Sequence, residues 1–487
     1  MKKHTVIPAL LVAALLSGCS LIPDYNRPGV DTPAGWNEAD ASNPTAIARD
    51  WWKNFNSAEL NAMMAEALTG NNDLGAAIQR VEQARALARV AGAPLLPSVD
   101  AKGSGGWTRT DPATGKTISD STGSAGLTVG YELDIFGQNR AALTAAEADA
   151  KASEYDRDAL ALIVMGDVAK TYFSVLSLEE RLNIADQNLE SARELLRIVN
   201  ARFDAGATTA LDVSQQKADL ATTEAARTTV EQQLKAAKTS LAVLLGKAPQ
   251  NLTVKEKNLR ALPVPEIAPG QPSTLLERRP DIRNAEAGLI AANADIGAAR
   301  AAFFPKINIG LDAGIAATPI GDPATKTLSL LANLAAPIFK GGLLEGNLAY
   351  SKARKEELVE NYRKAVLVSF KDVEDSLSAA KASTQREKSL ETAMAEARKA
   401  YNLSLQQYDV GTIDFQILLD ARQTMLAAED SYLQTKNERL AAAVDLYKAL
   451  GGGWSEGSKI PVQQPAPAAQ KPAAEPQQIQ PQAKKAD

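Results

Sequence analysis

Shifted by 205 positions, the sequence falls back on itself. Asp167 and Val168 align with Asp372 and Val373, Arg193 with Arg398, Asp204 with Asp409, and Gly206 with Gly411. Leu241 aligns with Leu446, and Leu245-Gly246 with Leu450-Gly451. This register runs without a gap for about eighty residues, long enough to mark one supersecondary unit used twice. Earlier landmarks keep the same order at slightly different offsets: Asn72-Asp73-Leu74 with Pro280-Asp281-Ile282, Leu96-Pro97 with Phe304-Pro305, and Phe136 with Phe339. A chain of 487 residues suggests roughly three domains by length alone. The duplication replaces that expectation with two like halves that share one architecture.

Each half reads as a helix, two strands, a very long helix, a glycine turn and a second long helix. The pattern predicts first helices over about 57–91 and 273–302, N-capped at Ser57 and Ser273 and stopped near Pro94 and Pro305. Leu127, Val129, Tyr131, Leu133 and Ile135 alternate with Thr128, Gly130, Glu132 and Asp134. Ile307, Ile309, Leu311, Ala313 and Ile315 alternate with Asn308, Gly310, Asp312 and Gly314. Period-two alternation gives a sheet one apolar and one polar face. Partner strands at about 98–107 and 327–338 alternate less cleanly.

From Gln138 to Arg202 there is no proline, and Gly166 is the only glycine. A continuous helix of that length spans ~97 Å. Leu178, Leu182, Ala185, Leu189, Ala192, Leu196, Val199 and Phe203 step alternately by four and three, which is a heptad seam. Leu390, Met394, Ala397, Tyr401, Ser404 and Tyr408 repeat it, and Val230, Leu234, Ala237, Leu241 and Leu244 continue it after the first turn. A fibrous coiled coil is the alternative. The interrupting strands and the glycine turns favour antiparallel hairpins instead.

The N-terminus fixes the compartment. Met1-Lys2-Lys3 and the apolar run Val6–Leu16 precede Leu16-Ser17-Gly18-Cys19. The run is too short to span a bilayer and reads as a signal peptide. Leu-Ser-Gly-Cys resembles the bacterial lipobox, which implies cleavage before Cys19 and lipidation of Cys19. Ser20, not Asp, follows, which in such lipoproteins resembles outer-membrane sorting. No later stretch supplies 18 consecutive apolar residues. A membrane crossing would therefore be a closed β-barrel, since only helices and closed barrels satisfy every backbone polar group in lipid. A soluble sandwich is the other reading of alternating strands; the glycine- and aspartate-lined polar face and the lipobox favour the barrel. Four strands cannot close around a lumen, so protomers must pool them, and three chains would give twelve.

Composition removes other functions. His4 and Cys19 are the only histidine and cysteine. Zinc fingers, histidine-based triads and an intrachain disulfide are excluded. A net charge of -5 argues against a nucleic-acid binder. No catalytic residue, cofactor site or metal site is expected. A carboxylate-pair hydrolase lacks any constellation to support it. A coiled-coil envelope tether is a structural alternative.

Several stretches together carry a family likeness: Trp51-Trp52-Lys53-Asn54-Phe55, Leu133-Asp134-Ile135-Phe136-Gly137, Pro337-Ile338-Phe339-Lys340-Gly341-Gly342, and most specifically Gly270 to Ile282. The chain resembles the TolC-like outer-membrane efflux lipoproteins of tripartite drug efflux pumps over about residues 19–454. The resemblance implies a mixed α and β membrane protein. It would be a trimeric α/β-barrel with four strands and long antiparallel helical hairpins per protomer. It also implies a passive exit duct for drugs and other small toxic compounds, placed in the outer membrane with its helices in the periplasm. Implied partners are two further copies, a periplasmic adaptor, an inner-membrane RND pump and outer-membrane lipid. The exit duct of a type I protein secretion system is the alternative within this fold. Asp420, in Leu418-Leu419-Asp420-Ala421, matches the family's constriction aspartate, with Asp212 in the corresponding region of the other hairpin. Arg422, or the position of Gln423, is the basic partner that would pair across hairpins. Phe203, Gly206, Tyr408 and Gly411 mark the tips that would dock the adaptor. Three copies of Asp420 around one axis would favour cations and repel anions.

The organisation expected is a signal peptide over 1–18, a lipid-anchored segment over 19–56, repeats over 57–250 and 273–454 joined by a linker at 251–272, and an unstructured Pro/Gln/Ala-rich tail over 455–487.

Overall fold

The computed structural model describes residues 20–39 and 47–457. The signal segment, Cys19 and residues 458–487 lie outside the described residues.

The first repeat opens with α1 (Ala58–Gly70) and α2 (Asn72–Gly92), followed by β1 (Ser98–Thr110) and β2 (Ile118–Leu133). The long hairpin α3 (Gln138–Asp204) and α4 (Ala210–Leu244) completes it. The second repeat runs α5 (Leu275–Arg278), α6 (Pro280–Ala301), β3 (Lys306–Ala317), β4 (Thr325–Ala335), α7 (Leu343–Asp409) and α8 (Phe415–Ala449). At 67 residues, α3 and α7 each extend ~100 Å.

The opening helix of each repeat is broken, where one continuous helix was expected. Asn71 sits in extended backbone, ends α1, and accepts hydrogen bonds on its side chain from the N–H groups of Asp73 and Leu74. It is a stop and a cap in one residue, with no proline to advertise the break. Arg279 occupies the equivalent place, ahead of Pro280, whose ring cannot continue a preceding helix but suits a first turn. Ser57 caps α1 through Leu60 N–H at 3.1 Å. Ser273 caps nothing, because it lies inside a 3₁₀ turn over Pro272–Thr274.

The four strands form one antiparallel sheet in the order β1-β2-β3-β4. Registration places Val99 beside Val129, Val129 beside Leu311, and Leu311 beside Leu330. One face therefore carries Val99, Trp107, Leu127, Val129, Tyr131, Ile307, Ile309, Leu328 and Leu334. The other carries Asp100, Lys102, Thr128, Glu132, Asn308, Asp312 and Asn333, with Thr128 donating to Asp312 at 2.7 Å. β2 stops at Leu133, two residues short of the expected Ile135, which is held in a turn by its N–H to the Leu133 carbonyl. β4 stops at Ala335, leaving Ile338 outside it.

The main core lies where the two repeats meet. Trp51 stacks on Tyr447 with ring centroids 5.1 Å apart, and Phe55 meets Phe173 at 4.9 Å. The repeats use the same close approach at the ends of their hairpins. Gly246 and Gly451 both have positive φ, and a Cβ there would sit 1.9 Å from the Gly70 carbonyl oxygen and 2.1 Å from that of Arg278. Only glycine fits either position.

Above the core, helices lie side by side in the order α2, α3, α6, α7; below it the order is α4, α3, α8, α7. The sheet, the upper helices and the lower helices thus all end on one side at β4 and α7, and on the other at β1, α2 and α4. Both edge strands are solvent-exposed along their length, and Leu328, Leu330 and Leu334 on β4 lie open. Residues 454–456, at the expected start of the unstructured tail, are held against the core. Trp454 is buried with its indole N–H on Asp158 at 2.8 Å, and Glu456 accepts from Tyr155 at 2.6 Å.

Candidate functional site: the helical tips

The two hairpins turn by the same device. Gly206 adopts φ 72° and Gly411 φ 78°. Ala207 N–H returns to the Arg202 carbonyl at 2.8 Å, and Thr412 N–H to that of Gln407 at 2.9 Å. These are Schellman ends, in which a left-handed glycine lets the chain satisfy the last helical carbonyls. A Cβ at either glycine would meet no atom, so backbone angle alone selects the residue.

Asp212 is committed to a cap. Thr209 accepts from Asp212 N–H at 3.2 Å, while the Asp212 carboxylate accepts from Thr209 N–H at 3.0 Å and from the Thr208 hydroxyl at 2.5 Å. The Thr208 hydroxyl, with the Thr209 N–H, holds the Asp212 carboxyl below its usual range. This reciprocal cap starts α4.

Asp420 is exposed on the first turns of α8 and accepts from Gln416 of its own helix at 2.9 Å. Gln423 is also exposed. Arg422 points the opposite way and is 1% exposed. Its guanidinium pairs with Asp219 on α4 at 2.5 Å and donates to the Asn188 carbonyl on α3 at 2.7 Å. Asp219 also accepts from Gln216, which donates to the Ala192 carbonyl. One arginine therefore ties the second hairpin to both arms of the first, within a single protomer.

Phe203 is 44% exposed, although the heptad seam placed it inside. Val199, on the same seam, is buried, and so is Leu195 beside it, with Leu196 half-buried. The seam holds through Ala192 and Val199 and ends in the last turn of the helix, where Phe203 is the next-to-last residue. Tyr408 is buried against Phe415, ring centroids 5.5 Å apart, and Arg202 lies 4.2 Å over its ring. Burial raises the Tyr408 phenol above its ordinary value. Asp219, Arg202 and Phe415 were not legible as site residues. Asp219 and Arg422 have Thr424 and Lys217 as their repeat equivalents, so the pair leaves no trace in the duplication. Among the described residues, no group of histidine, cysteine or acidic side chains could hold a metal ion.

The architecture thus joins a two-faced sheet to two glycine-tipped hairpins through a duplicated core. The model of the outer membrane efflux proteins matches residues 63–247 and again 271–452, one match in each repeat. The chain belongs to the outer membrane efflux protein family. It is 40% identical over 465 residues to the pyoverdine export outer membrane protein OpmQ of Pseudomonas aeruginosa, covering 93% of this chain and 97% of the relative. It is 33% identical to the toluene efflux pump outer membrane protein TtgF of Pseudomonas putida, covering 95% of this chain and 99% of the relative. Among solved structures, the outer membrane channel CmeC of Campylobacter jejuni superposes with a TM-score of 0.84 at 28% identity, covering 91% of this chain and 96% of that one. Within this efflux family, the sheet belongs in the outer membrane and the helical hairpins in the periplasm.

Proposed function

We propose that three copies of this chain close into a passive exit duct, the outer-membrane component of a tripartite efflux pump. The observation that carries the reading is the shared flank. Sheet, upper helices and lower helices all stop at the same two edges, so one rotation can close all three tiers at once. Twelve strands then surround a lumen lined by Asp100, Glu132, Asp312 and their polar neighbours. The energy comes from an inner-membrane pump of the RND class, coupled through a periplasmic adaptor. Phe203, Leu211 and Val410 are exposed apolar residues at the tips, which supports docking of that adaptor around Gly206 and Gly411.

Asp420 supplies the ring of negative charge at the aperture, and the buried Arg422–Asp219 pair holds the hairpins beside it. Small toxic compounds are the cargo. Relatives named for pyoverdine export, toluene efflux and solvent efflux add those compounds to the drugs worth trying. Deleting the chain from its host is expected to raise intracellular accumulation of several drug classes, restored by the intact chain. Unchanged accumulation across drugs, solvents and pyoverdine would refute the duct.

The protein is also lipid-anchored at Cys19. Arg300, next to the last residue of α6, reaches the Leu21 carbonyl at 3.4 Å, and β3 begins at Lys306. Residue 20 therefore lies at the sheet end of the helices, where an acyl chain enters lipid. Labelling with a fatty-acid analogue should be lost in Cys19→Ala; retained labelling would exclude this residue as the acceptor.

A further inference from the structure

Both ends of the described chain come to one ion-pair network, Arg27–Glu286–Arg283–Glu456. The N-terminal segment lies along α6. Asn293 donates to the Pro23 carbonyl at 2.6 Å, and Ile22 sits so close that a Cβ on Gly297 would approach its Cγ1 to 2.6 Å. Further on, Trp36 is buried against Phe370, its indole N–H on the Gly270 carbonyl at 2.7 Å. Between these points Arg27 forks onto Glu286 at 2.7 and 2.8 Å.

The C-terminal segment arrives from the other side. Arg283, one turn before Glu286, donates to Glu286 at 2.8 Å and to Glu456 at 2.5 Å. Glu456 is held as well by Tyr155 of α3. The Glu286 side chain is only 10% exposed, while Arg27 and Glu456 are 34% and 48% exposed. A carboxylate removed from water this far needs its cationic partners, because losing one leaves charge that solvent does not replace.

We propose that Glu286 is a shared lock, through which the N-terminal strap and the C-terminal segment hold each other on α6. Arg283 is the coupling element, since its one guanidinium serves both Glu286 and Glu456. Freeing Arg27 draws Arg283 more fully onto Glu286 and away from Glu456. Freeing Glu456 lets Arg283 turn toward Glu286 and compete with Arg27. The membrane-proximal terminus and the end of the second repeat therefore loosen together. Coupling of this kind is reciprocal by thermodynamic necessity.

Hydrogen exchange read by mass spectrometry on the full-length protein in detergent tests this. Arg27→Gln should speed exchange about five-fold or more in both 20–38 and 450–457, the lower bound of a real coupling. Glu456→Gln, at a more exposed site, should do the same from the opposite end. The double variant should fall short of the summed single effects. The proposal is overturned if each variant speeds exchange only in its own segment. Should Arg27→Gln fail to fold, Glu456→Gln alone decides, by whether residues 20–38 respond.

Discussion

Arg422 on α8 and Asp219 on α4 form a buried ion pair that joins the two helical hairpins of one protomer. With the arginine side chain 2% exposed and the carboxylate 12%, water cannot take over for either partner. Arg422→Ala should destabilise the hairpins by about 3–5 kcal/mol, the usual cost of leaving a buried charge alone. Arg422→Leu combined with Asp219→Leu should recover most of that loss. Thermal dissociation of the oligomer checks the energies. Single-channel conductance checks the aperture, which should widen in the single variant.

Asp420, two residues away, faces solvent and should behave in the opposite manner. Asp420→Asn should leave thermal stability within about 0.5 kcal/mol, as for exposed sites without a packing role. It should weaken divalent-cation block of the channel in a planar bilayer. Unaltered block would remove Asp420 from the aperture.

Gly246 and Gly451 make matched demands. Replacing either with alanine forces a left-handed alanine, costing about 1–2 kcal/mol, and drives a Cβ into a carbonyl oxygen. Each variant should lose heat-resistant oligomer in gel electrophoresis. Gly206→Ala meets no atom and should cost only the backbone term.

The cap at Asp212 carries an acid dependence. Its carboxyl is held below the ordinary value in the folded protein. Its contribution is therefore complete above the unfolded value and disappears as pH falls through the lowered folded one. Protease cutting near Ala207 should increase below about pH 4, where an ordinary aspartate protonates. Thr209→Ala should give similar cutting at neutral pH, because it removes half of the cap.

Much of the fold was legible because its signals are periodic. The alternation at Leu127–Leu133 and Ile307–Ile315 identified β2 and β3, and the absence of proline identified α3. β1 was fainter because Gly103, Gly105 and Gly106 carry no side chain to alternate. Leu331 puts an apolar residue on the polar face of β4. The break at Asn71 was hidden because an asparagine side chain does locally what proline does by exclusion. At the tips, glycine and aspartate were visible as residues. Their partners were not, since Arg422 and Asp219 lie 203 positions apart in different repeats. A heptad pattern does not show where its packing stops, which is why Phe203, next to the end of α3, reads as a seam residue and yet lies exposed.

The arms of the two hairpins are equal: 67 residues in α3 and in α7, 35 in α4 and in α8. Both tips therefore finish level. One residue inserted into a single arm would shift everything beyond it by about 1.5 Å and rotate it by roughly 100°, unseating Arg422 from Asp219 and lifting one tip off the plane of the other. Sequence can diverge between the copies at almost any surface position. Span cannot, so insertions in this protein are admissible only in matched sets.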